Sequence, residues 1–285
     1  YPAWVVSAFN TVLTVKGKLA KGRSHVLRNT LMVVQFVLSS LLIISTFIAW
    51  QQLQYLRNKP LGYNREEIIS IPVGPTTDNK KSIELLRARL AREPRVISVS
   101  ASDNNIGRGR DGSARTSIVG FDYKDRSVKS HWQSVDYDYI KTFGIQLLEG
   151  RDFSRQYGTD SLAVLINEQM AKQLGEKSAV GSLLPVSGYE KFTVIGVVED
   201  LVTQSPYDQA KPTIFLVKPS RTSVLNMKLN AQASAATAIK KIESILKRYD
   251  SENIIEFNFA DEEIAQKFAN EERISSLATF FASLA

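Results

Sequence analysis

The 285-residue chain contains no cysteine. This absence excludes disulfide bridges, thiolate nucleophiles and cysteine-ligated metal sites from the sequence. Any folded domain must therefore be stabilised by its hydrophobic core, and a segment of roughly 200 residues is long enough to bury about 70% of its unfolded surface.

Charge is absent from residues 31–50, which also lack proline and glycine. Twelve of these twenty residues are Leu, Ile, Val or Phe. A helix of this length, at about 1.5 Å per residue, spans about 30 Å, which is the thickness of one bilayer core. Residues 29–50 are therefore predicted to form a transmembrane helix in the lipid bilayer. A buried helix of a soluble protein is the less favoured alternative, because such helices usually contain shorter apolar runs.

Acidic residues are absent from residues 1–50, whereas five Lys and Arg residues precede the apolar run. By the positive-inside rule, residues 1–28 are predicted to form a cytoplasmic juxtamembrane segment. The chain carries a formal net charge of +7, and without these five residues 31 basic and 29 acidic residues remain, a net charge of +2. This nearly neutral remainder predicts no nucleic-acid partner.

Residues 274–285 are uncharged again. They are predicted to begin a second transmembrane helix, so the chain is expected to be a piece of a longer polytopic protein. Between the two membrane segments, we predict a stalk over residues 51–63, an extracytoplasmic domain over residues 64–260 and a second stalk over residues 261–273. Both stalks are rich in helix formers and contain no run of glycine and serine, so they are expected to be rigid.

Two strand-helix-strand patterns lie at the ends of the extracytoplasmic domain, over residues 66–102 and 220–260. In each, two apolar strands flank a helix with one apolar face. Two such units commonly interleave into one ferredoxin-like sheet with both helices on the same face. We therefore predict an α+β fold, in which two βαβ (porter-like or ferredoxin-like) units flank a β-rich insertion over residues 103–215, with transmembrane helices at both ends.

Four motifs follow in fixed order within the insertion. They are TFGIQLLEGRDF at Thr142–Phe153, VLINEQMAKQLG at Val164–Gly175, FTVIGVVEDL at Phe192–Leu201, and Lys211-Pro212. As a set, residues 139–217 resemble the MacB-like periplasmic core domain of FtsX-like ABC transporter permeases. The chain is most similar to the multi-pass permeases of Bacteroidetes-type bacteria, in which it would hold the second periplasmic domain. Glu199-Asp200-Leu201 departs from the family pattern, since basic and aromatic residues are expected around that aspartate.

The resemblance implies a permease subunit in the bacterial inner membrane, with its large domain in the periplasm. The expected partners are a separate cytoplasmic ABC ATPase subunit, a second permease copy or homologue in a dimer, and a periplasmic protein. The implied function is mechanical coupling of ATP hydrolysis to periplasmic change, for export, lipoprotein release or envelope regulation. We expect the stalks to carry movement into the two βαβ units, with the insertion facing the partner.

The individual motif residues indicate structural roles. Gly144 and Gly150 flank a short predicted strand, where glycine supplies backbone angles that other residues reach only with strain. Asn167 and Glu168 lie at a strand-to-helix junction and are predicted to cap the helix. Gly196 lies inside a strand and predicts a bulge or a close backbone approach.

No catalytic, cofactor-binding or metal-ligating residue is predicted, and neither is a cofactor. The GxGxxG pattern of residues 107–112 continues into an alternating strand pattern instead of a helix, so a loop is favoured over dinucleotide binding. His25 and His131 are expected on opposite sides of the bilayer and cannot share a metal. The carboxylate pairs fall at element ends, where capping or solvation is expected. These pairs are Asp136 with Asp138, Glu199 with Asp200, and Glu262 with Glu263.

Two alternative functions remain open from the sequence. One is an extracytoplasmic sensor ectodomain of a receptor with two membrane helices. The other is a membrane-anchored hydrolase, which would need a carboxylate site that no motif indicates. The motif order and the lack of catalytic patterns favour the permease.

Overall fold

The structure is a computed structural model, and the chain divides into two compact units, Tyr1–Tyr55 with Asn270–Ala285, and Leu56–Ala269. The residues that the structure describes are 23–63, 68–73, 79–104, 117–186, 191–202, 209–230, 235–247, 257–259, 273, 274, 276, 277, 279 and 280.

The first unit contains most of a 36-residue helix, α1, at Arg23–Asn58. Within α1, Val26–Leu56 is long and apolar enough to cross a membrane, and the apolar window of that span is not buried by any other part of the structure. Ser40 Oγ and Thr46 Oγ1 donate to the carbonyl oxygens of Phe36 and Leu42, four residues earlier, at 2.8 Å in both cases. These bonds satisfy both hydroxyls within the helix, as a lipid environment requires.

The helix extends beyond both ends of the span predicted at residues 29–50, and its last turns cover part of the predicted first stalk. In the segment predicted to start a second membrane helix, the described residues from 274 to 280 are also helical. Ile274, Leu277 and Phe280 recur there at intervals of three, and each is more than half exposed.

The second unit is built on one mixed sheet, which has eleven strands in the described part of the chain. The strands in chain order are β1 Ile68–Pro72, β2 Val96–Ser102, β3 Ser117–Tyr123, β4 Arg126–Val135, β5 Leu147–Gly150, β6 Ala163–Asn167, β7 Leu183–Leu184, β8 Phe192–Val198, β9 Thr213–Val217, β10 Val224–Leu229 and β11 Asn258–Phe259. The helices are α2 Asn79–Leu90, α3 Tyr139–Phe143, α4 Glu168–Leu174 and α5 Ala235–Leu246, with short 3-10 turns at Gly158–Leu162 and Pro219–Arg221.

The strand order is β11-β1-β10-β2-β4-β9-β6-β8-β5, with β3 paired to β4 and β7 paired to β8. The first four strands are antiparallel and belong to the two βαβ units, in the interleaved order that the ferredoxin-like prediction requires. We call β1, α2, β2, β10, α5 and β11 the ferredoxin-like lobe. The remaining elements of the sheet, β3 to β9 with α3 and α4, form the insertion lobe.

Helices α2 and α5 pack together on one face of the ferredoxin-like sheet. The hydrophobic cluster beneath them includes Leu86 and Ile242 from the helices and Ile69, Val99 and Met227 from the strands. Every member of this cluster belongs to the ferredoxin-like lobe. The α+β prediction, including two βαβ units around a β-rich insertion, is therefore confirmed.

The insertion lobe has its own core, in which α4 packs on β4, β6, β8 and β9. Gly144 ends α3 with φ +63° and Gly150 ends β5 with φ +76°, so both adopt left-handed backbone angles that glycine reaches without strain, as predicted. The strand itself is Leu147–Gly150, so Gly150 is its last residue and not a flanking residue as predicted. At Gly196, the register between β6 and β8 shifts, and a Cβ atom would lie 2.6 Å from the carbonyl oxygen of Arg151. The predicted close backbone approach is therefore present.

Candidate functional site

The candidate site begins with the connector, which we define as residues 59–63 between α1 and β1. Leu61 is buried, and its carbonyl oxygen accepts a 3.0 Å hydrogen bond from the amide of Val202. Gly62 follows with φ +79°, and a Cβ atom there would lie only 1.9 Å from the carbonyl oxygen of Asp200. Tyr63 stacks edge to face on Phe143 of α3, with 6.1 Å between the ring centroids. The connector therefore lies directly on the insertion lobe.

The connector packs against the loop that follows β8, and Asp200 holds this loop in place. One oxygen of its carboxylate, Oδ1, accepts from Asn167 Nδ2 at 2.8 Å and from the Gln169 amide at 2.9 Å. The other, Oδ2, accepts from Gln169 Nε2 at 3.0 Å. These charge-assisted bonds fix the loop to the junction of β6 and α4.

Asn167 is the centre of this network and is fully buried. It caps α4 as predicted, because its Oδ1 accepts from the amide of Met170 at 3.1 Å. The same oxygen accepts from the amide of Thr213 at 2.8 Å, and Nδ2 also donates to the carbonyl oxygen of Lys211 at 2.9 Å. One side chain thus joins the helix start, the loop under the connector and the start of β9. We call Asn167, Gln169, Asp200 and Lys211 the Asn167 network.

A second polar arrangement, the ion cluster, lies where the two lobes meet. Asp138 Oδ2 is 3.3 Å from Arg87 Nη1 and 2.8 Å from Arg155 Nη1. Asp136 Oδ2 is 3.6 Å from Arg87 Nε, and Asp136 Oδ1 is 3.1 Å from Arg155 Nη2. The Arg155 guanidinium also lies over the Tyr137 ring, 4.8 Å from its centroid. The cluster borders a small cleft of about 50 Å³.

Asp136 and Asp138 differ from the capping or solvation expected for carboxylates at element ends. Asp138 occupies the N-cap position of α3, but its side chain makes no capping bond, and Asp136 is only 6% exposed. Burial raises the pKa of Asp136, against the lowering effects of the Tyr137 amide and the two arginines. The arginines supply the charge compensation that a buried carboxylate needs.

A third titratable group, Asp103, follows the end of β2. Its Oδ2 accepts from the amide of Ser134 at 3.0 Å, while Oδ1 is buried with no hydrogen-bond partner among the described residues. Burial raises the pKa of this carboxyl to about 6, against the opposing effect of the Ser134 amide.

The other residues singled out in the sequence are separate from this site. His25 lies in α1, whereas His131 lies half-buried in β4, where burial and the charge of Lys211 lower its pKa. The GxGxxG pattern and the Glu262–Glu263 pair lie outside the described residues. Among the described residues, no group of three or more His, Asp or Glu is placed to hold a metal ion.

The comparison with known families matches the chain to the MacB-like periplasmic core domain over residues 31–245. This chain belongs to that family. The family provides components of ABC transporter permeases that are not themselves catalytic, and it implies a cytoplasmic ATPase partner. The family assignment and the apolar helix together indicate a membrane-anchored protein with a periplasmic domain. No curated protein sequence matches the chain.

Among solved structures, the fold is similar to the periplasmic region of MacB from Actinobacillus actinomycetemcomitans, with a TM-score of 0.53 and 16% identity over 73% of this chain and 95% of that one. The extracellular domain of the noncanonic ABC-type transporter YknZ from Gram-positive bacteria matches with a TM-score of 0.47 and 14% identity, over 65% of this chain and 95% of that one. A domain of a putative permease from Porphyromonas gingivalis matches with a TM-score of 0.45 and 18% identity, over 68% of this chain and 90% of that one.

Proposed function

We propose that this chain is the mechanical part of an ABC permease, in which movement of the membrane helices, driven by a cytoplasmic ATPase, is passed through the connector into the periplasmic domain. The ATPase hydrolyses ATP, and the periplasmic domain performs export, lipoprotein release or control of an envelope enzyme. A second permease copy and a periplasmic partner complete the proposed assembly in the bacterial inner membrane.

The observation that carries this proposal is the contact between the connector and the insertion lobe. Helix α1 continues to Asn58, and only residues 59–63 separate it from that contact. Gly62 lies so close to the Asp200 carbonyl that no side chain fits between them. A short connector packed in this way transmits displacement, whereas a flexible glycine-serine linker would absorb it.

The test inserts Gly-Gly-Ser between Lys59 and Pro60 of the full-length permease, which is reconstituted in lipid nanodiscs with its cognate ABC ATPase. Hydrogen–deuterium exchange of periplasmic peptides is compared with and without ATP and vanadate. We expect the wild type to show a nucleotide-dependent change, and the insertion variant to hydrolyse ATP without that change.

The matched control places the same insertion between Lys124 and Asp125, the exposed turn of the β3–β4 hairpin. This variant should keep both hydrolysis and the exchange response. An undiminished response in the connector variant would contradict mechanical transmission and leave the domain as a passive receptor, as in a sensor protein.

Orientation is tested separately, because the absence of native cysteine allows single-site labelling. A cysteine at Ser161 in the periplasmic unit should react with a membrane-impermeant thiol reagent in intact spheroplasts, and one at Ser24 should react only after lysis. The opposite pattern would place the large domain in the cytoplasm.

A further inference from the structure

The sheet is weakest where the two lobes join. Strands β2 and β4 share one residue pair, Ser102 with Val135, whereas β2 and β10 share six pairs and β4 and β9 share five. The chain crosses between the lobes beside this pair, after Ser102 and again after Val217. Backbone pairing thus gives little resistance to rotation of one lobe against the other.

Apolar packing across the join is concentrated at α3, which lies on β2 and β10, and at Ile68. Two of the three hydrophobic clusters lie wholly within one lobe each. The third cluster consists of insertion-lobe residues with a single buried member, Ile68, from the ferredoxin-like lobe. Since hydrophobic stabilisation scales with the apolar area buried, the two cores contribute mainly to the stability of the separate lobes.

Polar side chains fill much of the remaining interface. Ser70, Asn226 and Ser100 stand opposite one another across β1, β10 and β2, on the face away from α2 and α5. Ser70 Oγ donates to Asn226 Oδ1 at 2.8 Å, and Asn226 Nδ2 donates to Ser102 Oγ at 2.9 Å. Helix α3 of the insertion lobe packs against β2 and β10.

This interface is incompletely hydrogen-bonded. Six buried side-chain oxygen atoms have no partner among the described residues, and five of them lie on β2, β4, α3 or the turn after β2. These five belong to Ser98, Ser100, Asp103, Ser134 and Thr142. A buried polar atom without a partner costs about 1–3 kcal/mol, so water entering between the lobes offsets part of the free energy lost on opening.

Arg87 ties the lobes together electrostatically. In the ion cluster, Asp136, Asp138 and Arg155 all belong to the insertion lobe, and Arg87 of α2 reaches them from the ferredoxin-like lobe. Arg155 holds both carboxylates from within their own lobe, so they remain paired and in place if Arg87 withdraws.

We propose that the two lobes rotate against each other about the Ser102–Val135 pair, and that Arg87 is the clamp that holds them closed. The partly unpaired polar interface allows the lobes to separate, and the two carboxylates hold the guanidinium of Arg87 when the lobes are closed. The motion is a property of the chain itself and does not depend on an ATPase partner.

The test uses spin labels on cysteines introduced at Lys177 in the insertion lobe and Lys240 on α5, both of which are exposed. Pulsed electron–electron double resonance then measures the distance between the two spin labels, one on each lobe, in the full chain in nanodiscs without ATPase. The wild type should give one dominant distance. In Arg87→Gln, we expect a second population or a distribution at least twice as wide.

Arg155→Gln is the matched control, since it removes a guanidinium from the same carboxylates without breaking the contact between lobes. Its distribution should stay like that of the wild type. An unchanged distribution in Arg87→Gln, or equal broadening in both variants, would overturn the clamp.

Asp138→Asn provides a second variant, because its side chain is about a third exposed and its replacement leaves Asp136 paired. Partial broadening with an unchanged circular dichroism spectrum supports the proposal. If Arg87→Gln and Asp138→Asn both lose secondary structure, the cluster is required for folding and the clamp is refuted.

Discussion

Replacement of Asn167 by Asp separates the capping role of this residue from its role in the Asn167 network. Asp caps helices as well as Asn does, so a purely capping residue would tolerate the change. In the structure, however, Nδ2 donates to the Asp200 carboxylate and to the Lys211 carbonyl. Asn167→Asp loses both bonds and places an oxygen where Nδ2 lay, 2.8 Å from an Asp200 oxygen.

The magnitude follows from these contacts. The Asp200 oxygen keeps its bond from the Gln169 amide and the Lys211 carbonyl keeps its bond from the Thr213 hydroxyl, so the cost comes mainly from repulsion between the two carboxylates. Keeping one of them protonated at pH 7.5 costs up to about 5 kcal/mol, so we expect a loss of about 3–5 kcal/mol. For a domain of this size, that lowers the melting temperature by about 10 °C. The loss should shrink toward pH 4, because protonation of one carboxylate restores a donor between the two groups.

The assay is thermal denaturation of the full chain in detergent, followed by circular dichroism. Asn167→Ala, which loses all four hydrogen bonds without adding charge, serves as the comparison and should be destabilised at both pH values. If Asn167→Asp melts within about 2 °C of the wild type at pH 7.5, Asn167 acts only as a helix cap and the network does not hold the loop under the connector.

Three further outcomes are expected. Asp103→Asn should be more stable than the wild type by up to about 3 kcal/mol at pH 7.5 and equal to it near pH 4, as measured by chemical denaturation. Burial raises the pKa of the Asp103 carboxyl from 3.8 to about 6, so the wild type has stability at low pH that it loses as the pH rises through 6. A difference in stability that does not change with pH would contradict this. Gly62→Ala should destabilise the fold by at least about 2 kcal/mol, because the new Cβ would combine a positive φ with overlap on the Asp200 carbonyl. Gly158→Ala is the control and should be neutral, since its Cβ would meet no atom within 4 Å. Equal melting temperatures for the two variants would refute the connector contact. Residues 60–262 expressed alone should fold as a soluble domain, and a chelator that abolishes its thermal transition would show that a metal is needed.

Local sequence patterns were sufficient to predict the ferredoxin-like lobe. The patterns over residues 66–102 and 220–260 each predict two strands around one helix, and the structure has β1, α2 and β2 in the first range and β10, α5 and β11 in the second. Each pattern is decided by neighbours within about two helical turns or one strand, where periodicity is informative. Two such units commonly interleave into one sheet, and the order β11-β1-β10-β2 is of that kind.

The site could not be predicted in the same way, since its partners are distant in sequence. Arg87 meets Asp138 across 51 residues, and Asn167 meets the Lys211 carbonyl across 44. The signal for the Asn167 network was nevertheless present in the motifs that carry the family resemblance. Asn167, Asp200 and Lys211 come from three separate motifs, and the fold brings all three to one point.

The polar interface between the lobes could not be predicted from the sequence for a different reason. Serine at alternate positions of β2 is typical of a strand with one solvated face. In the structure, Ser100 and Ser102 are buried, because α3 packs on β2. The five residues of α3 are contributed by the insertion, so no pattern within β2 itself indicates that its second face is covered.

The connector changes the expected route of movement through the periplasmic domain. The sequence predicts that the stalks carry movement into the two βαβ units, with the insertion facing the partner. Instead, Leu61 and Gly62 contact the insertion lobe before the chain enters β1 of the ferredoxin-like lobe. In the proposed mechanism, a displacement of the connector would therefore act on both lobes at once. With Arg87 in place, the domain would follow the connector as a unit; without it, the same displacement would turn the lobes about the Ser102–Val135 pair. The Gly62→Ala and Arg87→Gln variants test these two steps independently, because one alters the contact of the connector and the other only the tie between lobes.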